Sequence, residues 1–177
     1  MRLIIVRHTT TEEDKDVILK GWLPGKLSFE GKKQARTLAT LLKNKTLDKI
    51  YTSDLQRCLE TTKIISKYHK VPIIEEKLLR ERCFGNLEGK KPTKEDLNLL
   101  DKLAYKPEGG ENLFEVYLRA QKFFNKVKKD ENKTILLVTH STFSKILRGI
   151  ILNKDIKEAI KIKTQKNTSI KQYYLGL

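Results

Sequence analysis

Apolar residues along this chain fall into two spacings that alternate from end to end. Leu3 to Val6 and Ile135 to Val138 are unbroken apolar runs of strand length, the form taken by strands buried on both faces of a sheet. Between and beyond them, apolar positions recur at helical period. One stripe is Ala35, Leu38, Ala39 and Leu42, and a second is Leu55, Cys58, Leu59, Thr62 and Ile65. A third is Leu113, Val116, Tyr117, Ala120, Phe124 and Val127, and a fourth is Phe143, Ile146, Leu147, Ile150 and Ile151. Ser28 and Ser53 stand where helix N-caps are expected, and Asn44 where the first helix stops. Shorter strands are predicted over Lys49 to Thr52, Val71 to Ile74 and Ser169 to Leu175. Strands alternating with helices predict an α/β fold, a three-layer α/β/α sandwich around a mostly parallel central sheet.

At 177 residues the chain fits a single domain, residues 1–177. Arg80 to Gly110 interrupts the rhythm. It holds Gly85, Gly89, Pro92, Pro107, Gly109 and Gly110, and reads as a long loop with one short helix near Lys94 to Lys102. Loops of that length in compact domains commonly carry function.

Charge narrows the partners. With 37 Lys and Arg against 22 Asp and Glu, the formal charge of +15 favours an anionic partner. The basic residues are scattered in short groups such as Lys32-Lys33, Lys90-Lys91 and Lys128-Lys129, so a small phosphorylated substrate is expected and nucleic acid is not. The apolar run before Arg7 is too short for a secretory signal, and no segment approaches the ~18 apolar residues of a membrane span. The expectation is a cytoplasmic protein, with no membrane contact and with Cys58 and Cys83 reduced. These cysteines lack Cys-x-x-Cys spacing, which argues against a structural zinc site. No Walker-type glycine loop is present either.

In open α/β sheets, ligands bind beyond the carboxyl ends of the strands, so residues that directly follow buried runs are the natural site candidates. Arg7 and His8 end the first run, and His140 follows the other. Arg57 lies near the start of a helix that follows the Lys49 to Thr52 strand, and Glu81 follows the next strand after an apolar turn. An imidazole nitrogen accepts a phosphoryl group, guanidinium groups bind its oxygens in bidentate fashion, and a carboxylic acid protonates the departing alkoxide. One histidine after a strand is more often structural than catalytic; the ordered combination carries the inference. Two histidines with a carboxylate also suit a metal, but two arginines beside them argue against one. His69 lies near a helix end, whose terminal carbonyls account for it.

In this order, the residues resemble the histidine phosphatase superfamily, the phosphoglycerate-mutase-like family, over nearly the whole chain. Arg7-His8-Thr9 resembles its Arg-His-Gly motif, and Ile50-Tyr51-Thr52-Ser53-Asp54-Leu55-Gln56-Arg57 through Thr61-Thr62 its second phosphate-binding segment. Leu79-Arg80-Glu81 with Phe84-Gly85 and Glu88-Gly89 is similar to its acid-bearing segment, and Gly109-Gly110-Glu111 and Thr139-His140 complete the series. The resemblance implies that His8 is the nucleophile, that Arg7, Arg57 and His140 bind phosphate, and that Glu81 is the proton donor. It implies further that no metal or other cofactor is needed, and that a cover at about residues 82–110 sets specificity. Thr9, Thr11, Asp14, Gly21 and Ser141 are the candidate substrate contacts. Thr9 replaces the family's usual glycine, which would strain the backbone if that position required positive φ. Asp14 stands at a frequent asparagine, so its carboxylate is expected to turn away from phosphate or to alter its loop.

Within such a family, mutases exclude water from the phosphohistidine and phosphatases admit it. Glu81-Arg82-Cys83-Phe84-Gly85 only partly resembles the mutase segment, and the long mutase insert is missing. A metal-independent phosphomonoesterase acting on small metabolites is therefore expected. The alternatives are a phosphoglycerate mutase, for which a bisphosphoglycerate primer would be needed, a phosphatase of phosphohistidine proteins, and a phosphate- or nucleic-acid-binding protein with weak catalysis. A homodimer is compatible with the chain. Trp22, Phe84 and Tyr105 are candidates for an apolar wall beside the leaving group.

Overall fold

The computed structural model describes residues 1–176. Its order is β1 (Arg2–Arg7), α1 (Phe29–Leu42), β2 (Lys49–Thr52), α2 (Gln56–Ile65), β3 (Ile73–Glu75), α3 (Lys94–Leu100), α4 (Leu113–Val127), β4 (Thr134–Thr139), α5 (Ser141–Ile151), α6 (Ile156–Ala159) and β5 (Ile170–Tyr174). The strands form one sheet in the order β3-β2-β4-β1-β5. Every pairing is parallel except that of β5, which runs antiparallel to β1 at one edge.

The unbroken apolar runs are β1 and β4, paired side by side at the centre of the sheet and without solvent exposure from Leu3 to Val6 and from Ile135 to Val138. Alternation along them divides the core in two. Leu3, Ile5, Ile135 and Leu137 pack with α4 and α5, whereas Ile4, Val6, Leu136 and Val138 pack with α1 and α2. These are the two helical layers the apolar periodicity predicts.

Three expectations shift. Ser28 caps α1, its hydroxyl accepting from the Gly31 N–H at 3.0 Å, but the helix ends at Leu42, ahead of Asn44. β3 starts at Ile73 rather than Val71, because Pro72 has no N–H to give and joins the ladder only through its carbonyl, which accepts from Ile50 at 2.9 Å. Helix α2 begins at Gln56, later than a Ser53 cap would place it, and the Ser53 hydroxyl accepts from the Leu55 N–H and is turned to the site. The short helix in the long loop is α3, capped by Thr93.

Candidate active site

Strand register builds the centre of the site. In the β1–β4 ladder Arg7 stands opposite Thr139, so the next residues, His8 and His140, leave the sheet side by side, and the His8 N–H donates to the Thr139 carbonyl at 2.8 Å. Their ring centroids are 5.1 Å apart, and both residues are buried. On the other side of β4, the Ser53 N–H donates to Val138 at 3.0 Å, which sets the Ser53 hydroxyl 2.8 Å from His140 Nε2. Cys58 Sγ lies 3.4 Å from the same nitrogen.

His8 Nδ1 lies 2.9 Å from the Thr9 carbonyl. A carbonyl only accepts, so the imidazole proton resides on Nδ1 and the Nε2 lone pair is free. Burial, and then the charges of Arg57 and Arg7, hold the His8 pKa well below the ordinary 6.5. His140 is lowered in the same way by burial, Arg57 and His8. Two neutral imidazoles thus face a strongly cationic wall. Burial pushes the Cys58 thiol up to about 12, so it remains an uncharged neighbour of His140.

Arg57 is 1% exposed, in the first turn of α2. Its guanidinium is fixed by carbonyls of the loop before α1, with Nη2 donating to Gly21 at 2.7 Å and Nη1 to Pro24 at 3.2 Å and also to Leu23. Arg7 Nη1 makes only a long contact of 3.4 Å with the Gln165 carbonyl. In both arginines Nε is buried and meets no acceptor among the described residues. Buried donors of that kind require acceptors from a ligand or from solvent.

Glu81 joins by a different route. Helix α5 has no side-chain cap of its own at His140, and Glu81 accepts from the first-turn N–H groups of Thr142 at 3.1 Å and Phe143 at 3.3 Å. A carboxyl group at a helix N-terminus is electrostatically favoured. The same end of α5 therefore presents His140 and fixes Glu81. Arg119 braces the segment from behind, donating to the carbonyls of Leu78 and Arg80, both at 2.7 Å, and to the Glu111 carboxylate.

The predicted contacts are distributed unevenly. Thr9 is fully buried and has an ordinary negative φ; its N–H and hydroxyl meet the Thr61 hydroxyl at 3.3 and 3.4 Å. The anticipated glycine-like strain is therefore absent from Thr9. Thr11 is also fully buried, its N–H donating to Asp14 at 2.7 Å. Gly21 acts through its carbonyl on Arg57, and its φ of +47° lies in the left-handed region that favours glycine. Ser141 begins α5 next to His140. Asp14 is turned back onto its own loop, accepting from Thr11 and pairing with Lys20. The ring of His69 is not held by helix carbonyls: its backbone N–H bonds Ser66 at 2.9 Å, and its buried Nε2 has no partner.

The segment that follows Glu81 is tied down by a residue that nothing in the sequence marks. Arg82, 1% exposed, donates to the carbonyls of Glu111, Leu100 and Tyr105 at 2.8, 2.6 and 2.9 Å. Trp22 closes from the opposite loop, its indole N–H donating to the Glu81 carbonyl at 2.8 Å. Replacing Arg82 with methionine strands three carbonyls and should cost about 3 kcal/mol, read as a lower urea midpoint. An unchanged midpoint would show that this segment does not depend on Arg82. Gln165 and Asn167, which no sequence pattern marks, support β1 from the loop before β5, donating to the carbonyls of Ile5 at 2.8 Å and His8 at 3.0 Å.

Residues 3–175 match the model of the histidine phosphatase superfamily, branch 1. The chain belongs to that superfamily. Among relatives of this histidine phosphatase, phosphoserine phosphatase 1 of Hydrogenobacter thermophilus is 32% identical over 89% of the chain and 79% of that protein. Phosphoglycerate mutase-like protein 4 of Arabidopsis thaliana is 28% identical over 98% of the chain and 79% of that protein. The solved alpha-ribazole phosphatase of Shigella flexneri shares the fold, with a TM-score of 0.91 at 23% identity over 99% of the chain and 91% of its own. Among the described residues, no helix is long and apolar enough to cross a membrane, and no group of three or more His, Cys, Asp or Glu side chains is placed to hold a metal ion.

Proposed function

We propose that this histidine phosphatase hydrolyses small phosphomonoesters through a phosphohistidine on His8, without a metal. The observation that carries the reading is a neutral imidazole with its Nδ1 proton anchored on Thr9, set between two arginines whose buried Nε–H groups have no acceptor among the described residues. Phosphoryl oxygens supply those acceptors.

His8 Nε2 attacks phosphorus, the ester P–O bond breaks, and the departing alkoxide takes a proton from Glu81. Water then returns a proton to Glu81 as its hydroxide attacks phosphorus, the P–N bond breaks, and phosphate leaves a neutral His8. Arg7, Arg57 and His140 hold the three non-bridging oxygens as their charge redistributes. A cover built from a short segment admits the water that a mutase must exclude, and this favours hydrolysis over isomerisation.

The test is phosphate release and isomer formation from p-nitrophenyl phosphate and 3-phosphoglycerate, followed with EDTA present. Free phosphate from either ester supports the reading, whereas isomerised phosphoglycerate without phosphate would make the chain a mutase.

The lowered His8 pKa supplies a second expectation. A base whose folded pKa lies below its unfolded 6.5 stays neutral, and so nucleophilic, as pH falls through 6.5. The unfolded chain then binds the extra proton, so this histidine withdraws stability on acidification below that pH. An NMR titration should show the His8 ring still neutral at pH 6.5. A midpoint at or above that value would contradict the burial argument.

A further inference from the structure

An ion pair in the loop between β1 and α1 has no part in the reaction above. One carboxylate oxygen of Asp14 accepts from the Thr11 N–H at 2.7 Å and the other takes the Lys20 ammonium. The pair is sheltered, with the Lys20 side chain 10% exposed. It also lies against the phosphoryl site. At Gly25, the position a Cβ would occupy is 3.3 Å from Arg57 Cδ and 3.4 Å from Lys20 Cδ, so the two cationic stems are seated side by side over one glycine. The next residue after Lys20, Gly21, gives its carbonyl to Arg57 at 2.7 Å. Electrostatically, the Lys20 charge acts on His8 and the His8 charge on Asp14. Burial opposes ionisation of Asp14, but the Lys20 ammonium and the Thr11 N–H outweigh it and hold its pKa below the usual value.

A fixed carboxylate beside a phosphate site repels the ligand unless a cation neutralises it. Here the cation is a lysine, a point charge with three donors on a flexible stem, which can turn from one anion to another more freely than a forked guanidinium. Arg57 is pinned by three carbonyls, whereas among the described residues the ammonium of Lys20 bonds Asp14 alone, with Glu13 also within reach of its charge.

We propose that Lys20 is a third cation of the phosphoryl site and that Asp14 is its internal counter-ion, so that Asp14 and phosphate compete for one ammonium. The proposal rests on the reading of His8 as phosphoryl acceptor. A bound phosphoryl group draws Lys20 away from Asp14, and recapture of the ammonium by Asp14 lowers the affinity for the phosphate product and speeds its release.

Competition sets opposite signs for the two partners. With Asp14→Asn, Lys20 loses the anion it pairs with, while Glu13, which its charge also reaches, makes no ion pair with it among the described residues, so competitive inhibition by inorganic phosphate should tighten about fivefold; with Lys20→Met it should weaken about tenfold. The double variant should follow Lys20→Met. A pair that serves only to hold the loop would instead weaken phosphate binding by either route.

The experiment measures inhibition of p-nitrophenyl phosphate hydrolysis by inorganic phosphate in the full chain, with urea midpoints as the folding control and Lys20→Gln as the second variant if Lys20→Met does not fold. Opposite shifts support the exchange. Shifts of the same sign, or none in either variant, overturn it. If the wild-type chain releases no phosphate from the ester, the reading of the active site fails separately. Calorimetric titration of the same variants with inorganic phosphate then decides the exchange by the same signs.

Discussion

Replacing His8 with alanine is expected to suppress phosphate release from every phosphomonoester by at least ~10⁴-fold, because no other side chain in the site can take over as nucleophile. His140 is the nearest imidazole, with its ring centroid 5.1 Å away, but Ser53 and Cys58 crowd its Nε2, and the Thr9 carbonyl that fixes the proton on Nδ1 serves only His8. The fold should tolerate the change, since loss of the ring does not touch the β1–β4 ladder, where the His8 N–H, not its side chain, bonds Thr139. Steady-state assay of the purified variant, with its urea midpoint as control, checks this. Retention of more than a hundredth of the activity would remove His8 from the role of nucleophile.

The second large effect is a split between substrates. Glu81→Gln should slow hydrolysis of alkyl phosphates by about 10²- to 10³-fold while changing p-nitrophenyl phosphate turnover only a few-fold. An alkoxide is a poor leaving group without a proton, whereas nitrophenolate departs unaided. Glutamine keeps an oxygen that can accept from Thr142 and Phe143, so the start of α5 and the seat of His140 are preserved and only the transferable proton is lost. The comparison is kcat for a serine- or glycerol-type phosphate against kcat for the nitrophenyl ester. Equal losses on both would mean that residue 81 shapes the site without donating a proton.

Some of this arrangement is legible in the sequence because it follows from register. Two unbroken apolar runs ending in Arg7-His8 and Thr139-His140 announce strands buried on both faces of the sheet, and because the structure pairs them in line the two histidines meet. Arg57 is legible for the same reason, as it follows a strand at the same sheet edge. The supporting contacts are less so, because they come from segments with no periodicity. Ser53 carries the signature of a helix cap, and only the late start of α2 frees its hydroxyl to reach His140. Cys58 falls in an apolar stripe and belongs to the core, yet its sulfur also touches the His140 ring. Arg82 follows Glu81 in sequence but points into the cover, where three carbonyls converge from distant turns. Lys20 is one lysine in a lysine-rich chain, and only the folded loop sets it beside Arg57. Asp14 was conspicuous as a charge near a phosphate site, but the cation that neutralises it could not be chosen from the sequence.

The most direct measurement is a rapid-quench reaction of the wild-type chain with a labelled phosphomonoester in EDTA, followed by peptide mapping of the denatured protein. A phosphate adduct stable to alkali and labile to acid is expected on the peptide that contains His8, forming and decaying at rates that account for turnover. Phosphate released at the full rate with no adduct on His8, or with the adduct on another residue, would contradict hydrolysis through this histidine.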